Sequence, residues 1–179
     1  MKKLYLILIL LSITNLQAQQ KQSPKEEGIQ YIKLLGKTLK TKLNFYLKVD
    51  KSGVKALEFC SHEAFKITKK LNLKLPKYAK IRRTSIHLRN EKNRADCPDV
   101  GIMENYQESK SREIIVIKQR KTTRVYKPLY MNGICLKCHG ENISKELKNI
   151  LAKKYPNDKA INFKAGSLRG VIVAEIKEH

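Results

Sequence analysis

The sequence predicts an α+β fold in which two long helices precede an antiparallel β-sheet. Three observations predict it. Apolar residues recur every three or four positions from Ile29 to Leu47, which is one side of a helix. A β-branched run, Ile114 to Ile117, is followed after a short polar turn by a second extended segment at 123–130. A third extended segment lies at 168–176, with Val171, Ile172 and Val173 at its centre. Helices first and strands later is the order of an α+β fold, not of an alternating one.

Each element has a local reason. Ser23-Pro24-Lys25-Glu26 starts the first helix, because Ser caps, Pro suits the first helical position and Glu completes a capping box. The stripe Ile29, Ile32, Leu35, Leu39, Leu43, Leu47 carries that helix to about Asp50. Gly53 interrupts it, and the second helix runs through Cys60 to about Leu71. Leu57, Cys60, Ala64, Ile67 and Leu71 share one face, so Cys60 turns toward the core. His62 lies about 200° further round and faces solvent. Residues 81–88 read as a strand in which His87 points away from Ile86 and Leu88. The polar loop from Arg89 to Cys97 ends at Pro98, which opens a short helix to about Glu108. The extended pair 112–118 and 123–130 forms a hairpin that leads into residues 132–140. Ser144 to Lys154 forms another helix, ended by Tyr155-Pro156.

Asn132-Gly133-Ile134-Cys135-Leu136-Lys137-Cys138-His139-Gly140 contains C-x-x-C-H, the attachment signature of a c-type haem. Two thiols add across the two vinyl groups of the porphyrin, and two intervening residues place both sulfurs on one short turn. The next residue, His139, then projects its imidazole under the iron. A thioredoxin-like pair needs a βαβ context, but the preceding segment is strand-like. A zinc site needs a second Cys/His pair at suitable spacing, which the sequence lacks. One motif implies one covalent haem c. For the other face of the iron the residues leave Cys60, His62, His87, Cys97, Met103, Met131, Tyr126 or no ligand at all. Cys60 also has a plainer reading, as a buried small side chain or as a disulfide partner of Cys97.

The first residues agree with this chemistry, which takes place outside the cytoplasm. Lys2 and Lys3 precede an apolar run from Leu4 to Ile13, too short to span a bilayer, and Ala18 offers a cleavage point. Residues 1–18 therefore read as a signal peptide and 19–179 as one haem-binding domain, periplasmic or otherwise exported. The absence of a Cys after the apolar run argues against a lipoprotein anchor. The formal charge is +22, and +20 without Lys2 and Lys3. Thirty of the 38 basic residues are Lys, whereas phosphate and base recognition favours Arg, so nucleic acid is not the expected partner. An acidic redox partner or an anionic membrane surface fits that charge.

Several segments resemble the Tll-like proteins, small exported proteins with one haem. They are Leu57-Glu58-Phe59-Cys60, Ile81-Arg82-Arg83-Thr84-Ser85, Arg89-Asn90, Pro98-Asp99, Tyr126-Lys127-Pro128-Leu129, the haem motif itself, Tyr155-Pro156, and Gly166-Ser167-Leu168-Arg169-Gly170. The resemblance implies a PAS-like antiparallel sheet behind the two N-terminal helices, with the haem packed between helices and sheet. It implies iron held by His139 and the Cys60 thiolate. Cys97 departs from the family pattern. Haem propionates need cationic partners, and of Arg82 and Arg83, which alternate on a strand, only one faces inward. Arg83 is that choice, from its register and the resemblance; Arg89 is a second propionate candidate and Tyr126 a haem contact.

An iron with both axial positions filled by protein has no open substrate site. That favours low-potential electron transfer or redox and ligand sensing over catalysis. The rival is a haem-dependent oxidoreductase acting on a sulfur compound or peroxide, in which Cys60 leaves the iron. A third reading is a haem-bearing accessory subunit that docks through its lysines.

Overall fold

A computed structural model describes residues 22–178; the expected signal peptide, 1–18, lies outside the described residues. Helix α1 spans Pro24–Val49. Its start is the expected capping box: the Glu26 N–H donates to Ser23 Oγ at 3.3 Å, and the Ser23 N–H donates to the Glu26 carboxylate at 3.0 Å. Gly28 lets the helix lie directly on the sheet, since a Cβ there would sit 2.6 Å from a methyl of Val125. After α1, the Asp50 carboxylate accepts from the backbone N–H groups of Ser52 and Lys55 and from the Ser52 hydroxyl. These bonds hold its pKa down at about 2 and fix the reversal into α2, Val54–Glu58.

The second long helix is not uniform. Between α2 and α3, Ala64–Asn72, the residues Phe59–Glu63 form a π turn. The wider turn reduces the angular step per residue, so Phe59 and Cys60 both turn inward. Phe59 is buried and stacks on Tyr46 with ring centroids 5.3 Å apart.

Strand β1, Ala79–Thr84, stops short of the expected 81–88. Ser85 ends it: its N–H bonds to Asn93 O, and its hydroxyl donates to Arg169 O at 2.7 Å and to His87 O at 3.1 Å. The alternation expected through residue 88 is lost with it, and His87 and Ile86 are both exposed. Helix α4, Cys97–Ser109, begins with a second capping box between Asp96 and Asp99. Strands β2, Ile115–Gln119, and β3, Thr122–Tyr130, form the expected hairpin. One short turn, α5, covers Leu136–His139, and α6 covers Lys145–Lys154. Strand β4, Leu168–Lys177, is central, giving an antiparallel sheet of order β1-β4-β3-β2.

The sheet has two covered faces, because successive side chains of a strand point to opposite sides. On one face, Ile81, Val125, Ile172 and Ala174 pack under Ile32 and Leu35 of α1, with Ile67 and Leu71 of α3 alongside. On the other, Tyr126, Val171 and Val173 pack under Met103 and Tyr106 of α4. Two smaller clusters seat the connection around α5: Leu57 with Ile143, Leu147 and Leu151, and Met131 with Ala160 and Phe163.

Candidate cofactor site at the Cys135–His139 turn

Residues 135–139 occupy one helical turn, closed by bonds from the N–H groups of Cys138 and His139 to Cys135 O. The turn brings both thiols and the imidazole to one place. Gly140 closes it, since a Cβ there would lie 2.6 Å from Leu136 O. Cys135 Sγ donates to Asn132 Oδ1 at 3.0 Å, and the Cys138 thiol is pushed above its ordinary pKa by burial.

His139 is aimed by its surroundings. Its Nδ1 lies 2.7 Å from Ala160 O, the geometry of an N–H donating to a carbonyl. That hydrogen bond selects the tautomer with a bare Nε2, the usual arrangement of a metal-binding histidine. Burial, with Arg89 and Arg169 nearby, holds its pKa well below the ordinary value, so the ring is neutral at physiological pH. Ala160 is itself fixed: its N–H donates to Asp158 at 2.8 Å, and its carbonyl also accepts from Arg89 Nη2 at 3.1 Å. Arg89 further donates to Cys138 O at 2.7 Å and pairs with Asp158 at 2.8 Å. Arg89 therefore clamps the turn, with two of its nitrogens engaged by protein acceptors.

Cys60 approaches from the π turn. Burial raises its thiol pKa to about 11, against which Arg83 and then Arg89 act, with Cys138 and Cys135 also within electrostatic reach. Arg83 shares the Ile81–Ile172 face of the sheet and is desolvated enough for its pKa to fall. Among the described residues its guanidinium has no hydrogen bond and no ion pair. Arg169 joins the group. Its Nη1 donates to Ser85 Oγ at 2.6 Å and His87 O at 3.0 Å, its guanidinium lies over the Phe163 ring, and burial lowers its pKa to about 10. Phe163 also meets the His139 ring edge-on, with centroids 6.3 Å apart. The region thus holds Arg83, Arg89 and Arg169 with the single carboxylate Asp158, an excess of buried positive charge that fits a dianionic group.

Other candidates fall elsewhere. Tyr126, the expected haem contact, is buried on the α4 face, with its hydroxyl 3.2 Å from Asp99, across the sheet from Arg83. Met103 packs beside it. Met131 is buried next to Cys135 and Leu136. His62 is exposed and bonds to Ser61, while His87 is exposed against Phe163. Cys97 is exposed at the start of α4, and no disulfide joins it to Cys60. Among the described residues no three His, Cys, Asp or Glu side chains gather to hold a bare metal ion.

Arg169 is the residue that sequence reasoning missed. Tyr130 pairs with Leu168 and Leu129 with Gly170, so Arg169 is the extra residue of a β-bulge. Strict alternation back from Val173 and Val171 would place it on the α4 face; the bulge re-aims it. The only signal was its place in the Gly166–Gly170 segment of the family resemblance.

A family model described as Tll0287-like matches residues 4–176. The crystal structure of the cyanobacterial heme-protein Tll0287 aligns with a TM-score of 0.69, covering 88% of this chain and 98% of that one at 17% identity. At that identity the likeness is one of fold. No curated protein sequence matches the chain.

Proposed function

The chain belongs to the Tll0287-like family, and from that membership and the Cys135–His139 turn we propose that it is an exported c-type haem protein that transfers electrons or senses redox state. The observation that carries this reading is the presentation of His139. Its Nδ1 is held by Ala160 O, one turn from two thiols and beside Arg89 and Arg169. In this reading Cys135 and Cys138 form the thioethers, each thiol adding its S–H across a vinyl group. His139 Nε2 and the Cys60 sulfur would hold the iron. Arg83 and Arg169 face the propionates, and Arg89 keeps the turn in place. The bound haem supplies a one-electron iron couple. Cys60, held as a thiolate on the iron, adds electron density and lowers the potential relative to a Met/His pair. Because both iron ligands would come from the protein, outside ligands would compete against a tethered sulfur of very high effective concentration.

The test is direct. Haem should stay with the denatured chain through acid–acetone extraction, and Cys135→Ala with Cys138→Ala should leave it colourless. The ferric protein should be low-spin with thiolate-type spectra, and Cys60→Ala should turn it high-spin. Haem that extracts freely would refute the covalent reading, and an unchanged Cys60→Ala spectrum would remove Cys60 from the iron.

A further inference from the structure

We infer that the outer ridge of α1 docks the protein onto an anionic lipid bilayer. One side of α1 is already used, with Gly28, Ile32 and Leu35 buried against the sheet. About a quarter-turn round the helix from it lie Leu34, Thr38, Thr41, Phe45 and Val49, spaced four, three, four and four residues apart and so on one face. Leu34 is 51% exposed, Phe45 57% and Val49 52%, three large apolar side chains left in water along about 22 Å of helix. Around them Lys33, Lys37, Lys40, Lys42 and Lys48 are all exposed, and residues 28–49 contain no Asp or Glu.

Apolar side chains on a ridge flanked by lysines are the pattern of a helix that lies in a membrane interface. The ring of Phe45 and the Leu34 and Val49 side chains enter the acyl boundary. The lysine stems lie along the apolar surface while their ammonium groups reach lipid phosphates. Charge decides between occupants. A second copy would set lysine against lysine, with no carboxylate on this stretch of helix to relieve it. An anionic bilayer meets both the apolar and the cationic parts at once. The inference is independent of the haem reading, since no residue of the ridge belongs to the Cys135–His139 site.

The chain has no Trp, so Phe45→Trp places a single reporter on the ridge. The exported protein is mixed with vesicles of phosphatidylcholine alone and with vesicles containing three parts in ten phosphatidylglycerol. Binding and a blue shift of the Trp emission are expected with the second and not the first, and both should weaken as salt rises. Leu34→Ser with Phe45→Ser should lower sedimentation with the anionic vesicles at least tenfold, with melting temperature and haem absorbance unchanged. Reversing Lys33, Lys37 and Lys40 to Glu should abolish it. Equal binding to both vesicles, no binding to either, or binding that survives the double Ser variant would overturn the inference. So would a concentration-dependent dimer of the wild-type chain that this variant dissolves, which would assign the ridge to a second copy.

Discussion

Arg82 and Arg83 are neighbours on β1, one residue apart and on opposite faces of the sheet. Arg82 meets three carboxylates: it pairs with Asp99, with Asp96 at 3.3 Å and with Glu175 at 2.8 Å. Arg124 from β3 joins the same group through Asp96 and Glu175, and the Tyr126 hydroxyl lies against Asp99. On that face two guanidinium groups meet three carboxylates, and these ion pairs staple α4 to the sheet. Arg83 lies within electrostatic reach of the Cys60 thiol, and among the described residues its guanidinium pairs with no carboxylate. A buried cation without a counter-charge is costly, so it persists where something outside the chain completes it. The comparison separates scaffold from site by charge balance alone, on two adjacent residues of one strand.

The largest expected effect comes from breaking the paired side. Asp99 is fully buried, and Asp99→Asn leaves Arg82 and Arg124 short of their inner partner. We expect a loss of about 3 kcal/mol in urea unfolding, as when one partner of a buried pair is removed. A loss below about 1 kcal/mol would show that Asp96 and Glu175 suffice.

The second effect is kinetic and concerns the thiol beside Arg83. In the haem-free Cys135→Ala/Cys138→Ala chain only Cys60 and Cys97 remain. Burial holds Cys60 at about 11 rather than 9.0, so at pH 8 its thiolate fraction falls on the order of a hundredfold. Alkylation followed by mass spectrometry should label exposed Cys97 first and Cys60 only as pH climbs toward 11. The sign for stability follows: the folded thiol titrates above its ordinary value, so its contribution is present below pH 9 and lost between 9 and 11. Equal labelling at pH 8 would place Cys60 in open solvent and remove the thiol from Arg83's surroundings.

The smallest effect carries the opposite sign. In the same haem-free chain Arg83→Met removes an uncompensated buried charge, and stability should rise by about 1 kcal/mol. A loss comparable to that of Asp99→Asn would mean that Arg83 is already neutralised within the chain, and the contrast between the two arginines would collapse.

Local features are legible in the order of residues alone. The Ser23–Glu26 box sets the start of α1, because capping depends on residues three apart. The β2–β3 hairpin is legible from two extended runs and a short turn, and Cys135, Cys138 and His139 from spacing on a single turn. The family is legible in the motifs that surround them. What the tertiary structure decided depends on contacts between distant segments. The sheet order puts the last strand between the first and third, which no local pattern encodes. The π turn at Phe59–Glu63 is a departure from the very periodicity used to read the helix. Strand β1 ends at Thr84 because Ser85 bonds to Asn93, His87 and Arg169, one of them 84 residues away. Tyr126 went to the far face because Val125, its neighbour, is the residue that Gly28 rests on. Arg169 reached the site through a bulge that inverts the alternation of its strand. Sequence determines directly what bonds within a turn enforce. The convergence of Cys60, Arg83, Arg169 and His139 comes from four separate segments, and only the packed chain brings their charges together.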